Sequence, residues 1–473
     1  MKASKTEKTS KQNKINPEIF REYDIRGIAD KDLTNNIVEK IAKAYGTYVQ
    51  EHNKKGTVDI VVGRDNRLSS ERIENALIKG ILSTGCNVIG IGVAPTPILY
   101  YAIHHYKKDG GVMVTGSHNP IEFNGLKLCL GADSIYGKEI QKLRAMVERN
   151  KKEEKKKKEG KLTTKNPIEP YLNEIKEKIK LKRKLKIVID AGNGTAGMIV
   201  PKLFSSLGCE VVPLYCNLDG RFPNHLPDPT VPELMQDLMQ KAKEEKADIG
   251  LGYDGDGDRI GTVDEKGKMI FSDKLLALFS KEFLLKNPGE KIIFDVKCSD
   301  ALPEFIKKYG GKPIMWKTGH SLIKAKMKKE KALFAGEASG HINFADEWYG
   351  FDDAVYASAR LLQFLSSSNK NFSELMSEVP SYYSTPVIRS YCSDKDKFDI
   401  VEKVREHFKK TYKVIEIDGA KIMFENIGGW ALVRASNTQP AIVLAFEAKT
   451  KEGLKEIKSI VAKKLREFNI TFV

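Results

Sequence analysis

The sequence predicts an α/β protein in which three similar α/β domains, each with a mainly parallel mixed sheet, precede a smaller C-terminal α+β domain. Three runs rich in β-branched residues predict buried parallel strands ending near an aspartate: VDIVVGRD at 58–65, LKIVIDAG at 185–192 and EKIIFDVK at 290–297. A helix-length stretch and two further apolar runs follow each of them, which predicts βαβ crossovers. Because the runs recur at roughly one domain length, we expect the same α/β unit three times.

The chain of 473 residues is too long for a single hydrophobic core. We expect a disordered polar tail, three α/β domains and the α+β domain, in this order: 1–14, 15–162, 163–268, 269–380 and 381–473. The lysine-rich stretch at 151–161 indicates a helix end or a linker after the first α/β domain. In the last domain, strand-like runs lie on both sides of a turn within 427–448, and a helix follows from about Lys451.

The composition is typical of a globular protein, with 41% hydrophobic and 30% charged residues and no apolar run long enough to cross a bilayer. The first fourteen residues lack the apolar core of a secretory signal. The six cysteines form no CxxC pair, which argues against a metal–thiolate cluster and a disulfide framework. We therefore expect a cytoplasmic protein.

The formal net charge of +16 comes largely from local lysine runs, which are usually solvated. The basic residues are not interleaved with aromatic ones as they are in proteins that bind single-stranded nucleic acid. A basic protein suits anionic, phosphorylated small substrates, so we expect these as partners and neither nucleic acid nor a membrane. We expect a monomer.

In each α/β unit the third apolar run leads into a glycine-rich polar loop: GVMVTGSHN, DIGLGYDGDGDR and ALFAGEASGH. Loops at the carboxyl ends of parallel strands are where α/β sheets bind ligands. The three loops are therefore expected to face one shared cleft.

The DGDGDR loop places Asp254, Asp256 and Asp258 on alternate positions with glycines between them. Three carboxylates this close repel one another unless a cation lies among them, and all-oxygen ligation favours Mg²⁺ or Ca²⁺ over zinc. An EF-hand is excluded because Arg259 occupies the glycine position of that loop, and because the flanking residues predict strands. We expect a Mg²⁺ site that leaves room for a phosphate oxygen.

Two further loops carry polar groups suited to a sugar phosphate. GEASGH offers Glu337, Ser339 and His341, which can bind neighbouring sugar hydroxyls, although a short polar loop is also an ordinary turn. RASNTQP at 434–440 collects guanidinium, hydroxyl and amide donors, a set that binds phosphate, and a plain turn is an equally good interpretation of this segment alone. Its donors are Arg434, Ser436, Asn437 and Thr438.

Ser117 in the TGSHNP loop has three possible interpretations: a turn residue, a hydrolase nucleophile or a phosphate carrier. A GxSxG elbow is absent from the sequence, and adjacency alone does not place His118 as a base. The magnesium loop and the phosphate loop in the same chain favour a serine that carries a phosphoryl group.

The sequence resembles the α-D-phosphohexomutases, and among them the bifunctional phosphomannomutase/phosphoglucomutases, over nearly the whole chain from about Phe20. Nine motifs carry the resemblance, in this order: FREYDIRG at 20–27, TGSHNP at 115–120, GNG at 192–194, DGRFPNHLPDP at 219–229, DGDGDR at 254–259, DVKCS at 295–299, TGHS at 318–321, GEASGH at 336–341 and RASNTQP at 434–440. The resemblance implies four domains arranged in a heart shape around a central cleft.

The resemblance also implies a role for each site residue. Ser117 would be the phosphoserine, completing a Mg²⁺ shell with the three aspartates. Arg259 and Lys127 would lie beside the reacting phosphate, and Arg26 would serve in positioning. Lys127, His320 and His341 would be candidates for proton transfer, in no established order. The sugar and its second phosphate would be bound by Tyr23, Lys297, His320, Glu337, Ser339, Arg434, Ser436, Asn437 and Thr438.

The implied activity interconverts hexose 1-phosphate and hexose 6-phosphate, for mannose and glucose, through a hexose 1,6-bisphosphate that reorients in the cleft. Glucose 1,6-bisphosphate would serve as the activator. Three departures from the common family pattern, Ala338, Gln439 and the unusual lysine content, bear on substrate preference. A phosphoglucosamine mutase, a non-catalytic sugar-phosphate sensor and a nucleic-acid-binding protein are the alternatives.

Overall fold

The computed structural model describes residues 15–53, 56–149, 158–437 and 439–472. The predicted tail at 1–14, residues 150–157 of the lysine-rich region and Thr438 lie outside the described residues. The chain divides into two compact units. Unit 1 contains the described residues up to Ser272 together with Ser339–Ser373, and unit 2 contains Asp273–Ala338 together with the described residues from Glu374 onward.

The first sheet of unit 1 has the strand order β1-β5-β4-β2-β3-β7, with β6 beside β5. Strand β2 is parallel to β3 and β4, whereas β5 is antiparallel to β1, β4 and β6. The strands are β1 (Ile25–Ile28), β2 (Asp59–Arg64), β3 (Asn87–Val93), β4 (Gly110–Val114), β5 (Phe123–Leu130), β6 (Asp133–Ser134) and β7 (Leu162–Thr164).

The second sheet of unit 1 has the order β12-β11-β10-β8-β9 and repeats this plan on a smaller scale. Strand β8 is parallel to β9 and β10, and β11 is antiparallel to β10 and β12. The strands are β8 (Lys186–Asp190), β9 (Glu210–Leu214), β10 (Ile249–Tyr253), β11 (Ile260–Asp264) and β12 (Met269–Ile270). Both sheets thus have a parallel centre and antiparallel strands toward one edge.

Unit 2 contains a parallel arrangement in which β13 pairs with both β14 and β15, and a separate antiparallel sheet. In the antiparallel sheet, β22 pairs with β17, β18 and β21, and β20 lies between β21 and β19. The strands are β13 (Lys291–Asp295), β14 (Lys312–Trp316), β15 (Phe334–Gly336), then, after β16 of unit 1 (Ile342–Phe344), β17 (Tyr383–Ser384), β18 (Ile388–Tyr391), β19 (Lys413–Ile415), β20 (Ala420–Phe424), β21 (Gly429–Ala435) and β22 (Ala441–Ala448).

The helices alternate with the strands, as the apolar pattern predicts. They are α1 (Asn35–His52), α2 (Ser70–Leu82), α3 (Thr96–His105), α4 (Lys138–Glu148), α5 (Ile168–Lys178), α6 (Val200–Ser206), α7 (Gln236–Glu244), α8 (Ser272–Lys286), α9 (Ala301–Lys308), α10 (His320–Glu330), α11 (Ala354–Ser366), α12 (Phe372–Met376), α13 (Lys397–Phe408) and α14 (Lys451–Arg466). Among the described residues, no helix combines the length and the apolar character needed to span a membrane.

An aromatic cluster joins three segments of unit 1. Tyr101 of α3 meets Tyr171 of α5 edge to face, and Trp348 stacks on Tyr356 of α11 with ring centroids 4.4 Å apart. The carboxylate of Asp353 accepts hydrogen bonds from the Tyr171 hydroxyl and the Trp348 indole, both at 2.9 Å. Buried aromatic pairs with satisfied polar atoms are a strong source of packing energy. The cluster therefore fixes the segment Ser339–Ser373 to helices α3 and α5 of unit 1.

The three strands predicted to end near an aspartate are β2, β8 and β13. The predicted fold class is confirmed: three α/β domains are followed by an α+β domain. The interior positions of β4 and β10 are buried throughout, which explains their uninterrupted apolar sequences.

Candidate active site

Ser117 lies in a tight loop directly after β4, and it has a left-handed backbone conformation with φ of +49°. Such a conformation is uncommon for a residue other than glycine and persists only where the surroundings impose it. Here the fully buried Arg67 donates hydrogen bonds to the carbonyl oxygens of Ser117 (2.8 Å) and Asn119 (2.6 Å). Asp65 at the end of β2 holds Arg67 at 3.3 Å and accepts from the N–H of Gly116.

The aspartate loop follows β10 and meets the serine loop. The Ser117 hydroxyl donates to Asp254 Oδ2 at 2.7 Å, and Asp254 Oδ1 accepts from the N–H groups of Asp258 (3.1 Å) and Arg259 (3.2 Å). The two loops approach so closely that a Cβ on Gly255 would lie 2.5 Å from the Ser117 carbonyl oxygen. The alternating glycines of DGDGDR are therefore required by contact as well as by conformation.

The three carboxylates are completely buried, and one ligand oxygen from each lies within 4.8 Å of the others. Lys127 of β5 provides positive charge beside them: its ammonium is 2.6 Å from Asp256 Oδ2 and also contacts Asp258. Thr96, at the start of α3, donates to the same Asp256 oxygen at 2.6 Å. Asp256 Oδ1 is buried and, among the described residues, has no hydrogen-bond partner. Converging hard oxygen atoms with an unsatisfied member fit a divalent cation such as Mg²⁺.

Burial and the neighbouring charges shift the pKa values of the three carboxyls in different directions. Burial, and then the charges of Asp256 and Asp258, raise the pKa of Asp254 well above its ordinary value. Burial acts in the same direction on Asp258, but the attraction of Lys127 and His341 outweighs it and lowers that pKa. For Lys127, burial favours the neutral form, yet the carboxylates prevail and raise its pKa. Lys127 is therefore an ammonium ion in this arrangement.

His341 and Arg259 lie beside Asp258, together with Ser339. Atom Nε2 of His341 is 3.3 Å from Arg259 Nε and 3.3 Å from Asp258 Oδ1, while the Ser339 hydroxyl is 3.2 Å from His341 Nδ1. Nitrogen Nε2 accepts from Arg259 only without a proton and donates to Asp258 only with one. The hydrogen-bond partner of His341 Nε2 therefore depends on its proton: Arg259 when the nitrogen carries none, and Asp258 when it carries one.

Arg26 of β1 is buried and forms an ion pair with Asp24. Its Nη1 also donates to the side chain of Asn119 at 3.3 Å, two residues after Ser117. Arg26 is thus attached to the serine loop. Tyr23 precedes the same strand and is half-buried.

In unit 2, Asp295 at the end of β13 organises the loops that carry the predicted sugar-binding residues. It accepts hydrogen bonds from the Thr318 hydroxyl and the Ala338 N–H, both at 2.9 Å, and pairs with Lys297 at 3.3 Å. Glu337 Oε1 accepts from the N–H of Gly319 at 2.6 Å. Lys297, Glu337 and the start of α10 at His320 therefore share one framework.

The predicted phosphate loop follows β21. Arg434 is buried, its Nε donates to Asp418 Oδ2 at 3.0 Å, and its Nη2 has no hydrogen-bond partner among the described residues. The same Asp418 oxygen accepts from the N–H of Thr318 at 3.0 Å. Ser436 and Asn437 are described, whereas Thr438 lies outside the described residues. A buried guanidinium with a spare donor is suited to an oxyanion.

Unit 1 thus brings Ser117, the three aspartates, Lys127, Arg259 and His341 together, with Arg26 and Ser339 one contact away. Unit 2 brings Lys297, Glu337 and the 318–320 loop together, and attaches Arg434 to that loop through Asp418. The residues that hold these groups in place were not predicted from the sequence: Arg67, Thr96, Asn119, Asp295 and Asp418. For Asp295 a signal was present, since a carboxylate ending a buried strand requires partners.

Four family models match the chain in order. They describe the phosphoglucomutase/phosphomannomutase alpha/beta/alpha domains I, II and III, at residues 17–154, 169–267 and 271–383, and the C-terminal domain, at residues 387–464.

Individual relatives match over nearly the full length. A Pseudomonas aeruginosa protein named phosphomannomutase/phosphoglucomutase is 43% identical over 459 residues, covering 97% of each chain. A Neisseria gonorrhoeae protein named phosphoglucomutase is 43% identical, covering 94% of this chain and 96% of that protein. The crystal structure of a phosphoglucomutase/phosphomannomutase family protein from Burkholderia thailandensis has a TM-score of 0.89 at 39% identity, covering 97% of this chain and all of the other.

Proposed function

This chain belongs to the phosphoglucomutase/phosphomannomutase family, and we propose that it interconverts the 1-phosphates and 6-phosphates of glucose and mannose through a phosphorylated Ser117. The contact between the Ser117 hydroxyl and Asp254, at 2.7 Å within a buried triad of carboxylates, carries the proposal. A serine in that position is surrounded by the groups that phosphoryl transfer requires, namely anion-stabilising charges and a rigid loop.

In the proposed reaction the Oγ–P bond of phosphoserine 117 breaks as a substrate hydroxyl forms a new P–O bond. The hydroxyl proton leaves to a base, and Ser117 remains as an alkoxide that must be protonated. This half-reaction yields a hexose 1,6-bisphosphate. After the bisphosphate turns around, the other phosphate returns to Ser117 and the isomeric monophosphate leaves. Ser117 is phosphorylated again at the end of each cycle, so a trace of a bisphosphate, such as glucose 1,6-bisphosphate, is sufficient to restore enzyme molecules that have lost the phosphoryl group.

The metal of this site would be Mg²⁺, held by Asp254, Asp256 and Asp258 with an oxygen of the phosphoserine. When bound, it supplies positive charge against the negative charge on the transferring phosphoryl group. Arg259, at 3.9 Å from Asp254, is placed to orient that group from the side of the protein.

Lys127 and His341 are the proton-transfer candidates of unit 1. Lys127 is held as an ammonium ion by Asp256 and Asp258, so in this arrangement it is an acid rather than a base. His341 has one ring nitrogen between Arg259 and Asp258 and is suited to accept a proton. His320, in unit 2, is the third candidate and begins helix α10.

Most of the residues assigned to the sugar and to the non-reacting phosphate belong to unit 2, whereas Tyr23 and Ser339 belong to unit 1. Glu337 would bind hydroxyls together with Ser339, and Lys297 and Tyr23 would contact the substrate. Arg434, with a buried unsatisfied donor, would bind the phosphate that is not reacting, assisted by Ser436, Asn437 and Thr438. The residues that bind the sugar must accept both orientations of the bisphosphate, because it reacts at either end.

Two properties accompany this proposal. All six cysteines are free thiols, which suits a reducing cytoplasm.

We also propose that the protein acts as a monomer on small phosphosugars, rather than on nucleic acid or at a membrane. Light scattering coupled to size exclusion tests the monomer directly, because a dimer would elute with twice the mass of 53.1 kDa.

The deciding experiment compares turnover of glucose 1-phosphate, mannose 1-phosphate and glucosamine 1-phosphate, with Mg²⁺ and a trace of glucose 1,6-bisphosphate. We expect comparable rates for the glucose and mannose substrates and a lower rate for the glucosamine substrate. A clear preference for glucosamine 1-phosphate would replace the proposed substrate while retaining the mechanism. Absence of turnover with all three would refute the proposed activity.

A further inference from the structure

Helix α13 places a lysine under the predicted phosphate loop. Lys397 is the first residue of that helix, and only 2% of its surface is exposed. Its ammonium donates to the carbonyl oxygens of Ser436 at 2.5 Å and Gln439 at 3.1 Å, and to Asp394 Oδ1 at 2.5 Å. A lysine this deeply buried is rare without a set of acceptors, and here three oxygen atoms supply it.

The hydrogen bonds of Lys397 connect the two ends of the phosphate loop. The two carbonyls belong to residues on either side of position 438, so the ammonium joins the beginning and the end of the turn. Within the turn, the N–H of Gln439 donates to the Ser436 hydroxyl at 3.1 Å, and the N–H of Ser436 donates to the Ala441 carbonyl at 2.9 Å. The loop is therefore closed around Lys397.

Peptide geometry then fixes the direction of a donor. In a trans peptide the C=O and N–H groups point in opposite directions. Because the Ser436 carbonyl points at Lys397, the N–H of Asn437 points away from it, toward the opposite face of the loop. The second carbonyl, that of Gln439, precedes Pro440, which has no N–H to orient. Lys397 thus holds two carbonyl acceptors on the inner face of the loop and leaves one N–H donor on the outer face.

We propose that Lys397 is a positioning residue for the phosphate loop, acting through the carbonyls of Ser436 and Gln439 to present the N–H of Asn437 to a phosphate monoester. It does not contact the phosphate itself. This inference rests on the proposed function, since it assigns the loop to the phosphate that is not reacting.

The test compares Lys397→Met with Lys403→Met on the same helix, because Lys403 is exposed and pairs only with Asp399 within hydrogen-bonding distance among the described residues. The measured quantities are KM for glucose 1-phosphate, kcat, and the competitive inhibition constant of inorganic phosphate. For Lys397→Met we expect KM and the inhibition constant to rise together by about tenfold, as for the loss of a hydrogen bond to a charged group, with kcat changed far less. Lys403→Met should leave all three constants unchanged.

Lys397→Gln is the second variant, since its neutral amide can still donate to one carbonyl and is less disruptive to folding. Intermediate values of both constants would support the proposal. An unchanged inhibition constant for phosphate in either variant, with or without a loss of thermal stability, would overturn it. A wild-type protein that turns over no hexose phosphate would refute the proposed activity. The dissociation constant of inorganic phosphate, measured by calorimetry on the wild type and on the same variants, would then test this inference, so the two failures are distinguishable.

Discussion

The ammonium of Lys127 lies 2.6 Å from Asp256 Oδ2 and contacts Asp258 as well, so one buried lysine balances the carboxylates that form the predicted metal site. The same carboxylates would bind Mg²⁺. Lys127 and the cation therefore share their ligands, and each weakens the other's hold on them.

Lys127→Met should accordingly increase the effect of Mg²⁺ on the melting temperature of the protein. Leaving buried carboxylates without their partner costs about 3–5 kcal/mol, so we expect a marked drop in the melting temperature in EDTA. Added Mg²⁺ should raise the melting temperature of the variant more than that of the wild type, while turnover falls. Lys142→Met, at an exposed lysine, is the control. Equal responses to Mg²⁺ in variant and wild type would contradict the shared-ligand arrangement.

Ser117→Ala should remove the phosphate carrier and, with it, turnover. We expect a loss of about a thousandfold or more in kcat, as for removal of a covalent nucleophile, with little change in folding. Intact-mass spectrometry should find a phosphoryl group on the wild type and none on the variant after incubation with glucose 1,6-bisphosphate. Ser83→Ala, whose hydroxyl bonds only to the Gly80 carbonyl among the contacts described, is the control. Wild-type rates in Ser117→Ala would exclude a phosphoserine mechanism.

Gly255→Ala tests the contact between the serine and aspartate loops. Its Cβ would lie 2.5 Å from the Ser117 carbonyl oxygen, so one of the loops must move. Because displacement of the reacting groups by about an ångström can cost a hundredfold in rate, we expect kcat to fall by about that factor. Gly56→Ala is the matched control, since a Cβ there meets no atom within 4 Å. Similar kcat values for the two variants would show that the loop contact is not needed for turnover.

Asp353→Asn should change how stability depends on pH. Burial is the main cause that raises the pKa of Asp353 to about 6, against 3.8 in an ordinary environment, although hydrogen bonds from the Tyr356 N–H, Tyr171 and Trp348 oppose it. The folded protein therefore holds a proton between these values that the unfolded chain releases, and the wild type loses up to about 3 kcal/mol as pH rises from 4 to 6. The asparagine variant lacks this loss.

Melting temperatures of both proteins between pH 4 and 7 check this expectation. The variant should be the less stable protein at pH 4 and should approach or overtake the wild type by pH 7. Asp399→Asn, at an exposed carboxylate of α13, controls for the general effect of removing a carboxyl group. A parallel trend in that control, or a constant difference for Asp353→Asn, would show that the Asp353 carboxyl does not titrate in this range.

The sequence was sufficient for features that depend on local pattern. The β-branched runs predicted β2, β8 and β13, and alternate aspartates predicted a cluster of carboxylates because the spacing itself brings the oxygens together. It was not sufficient for Arg67 or Asp418, because their role depends on carbonyl and amide groups from distant segments. Nor did it predict that Lys127 would be held as an ammonium ion, since that depends on burial beside Asp256 and Asp258.

Unit 1 is assembled from two stretches of chain, with Ser339–Ser373 joining residues that precede Ser272. A ribosome delivers these stretches at different times, with all of Asp273–Ala338 emerging in between. A nascent chain thus acquires Ser117, Lys127 and the three aspartates before it acquires Asp273–Ala338. It receives His341 and the aromatic residues around Trp348 only late in translation. The contacts of His341 with Arg259 and Asp258 can therefore form only after the whole of Asp273–Ala338 has been synthesised.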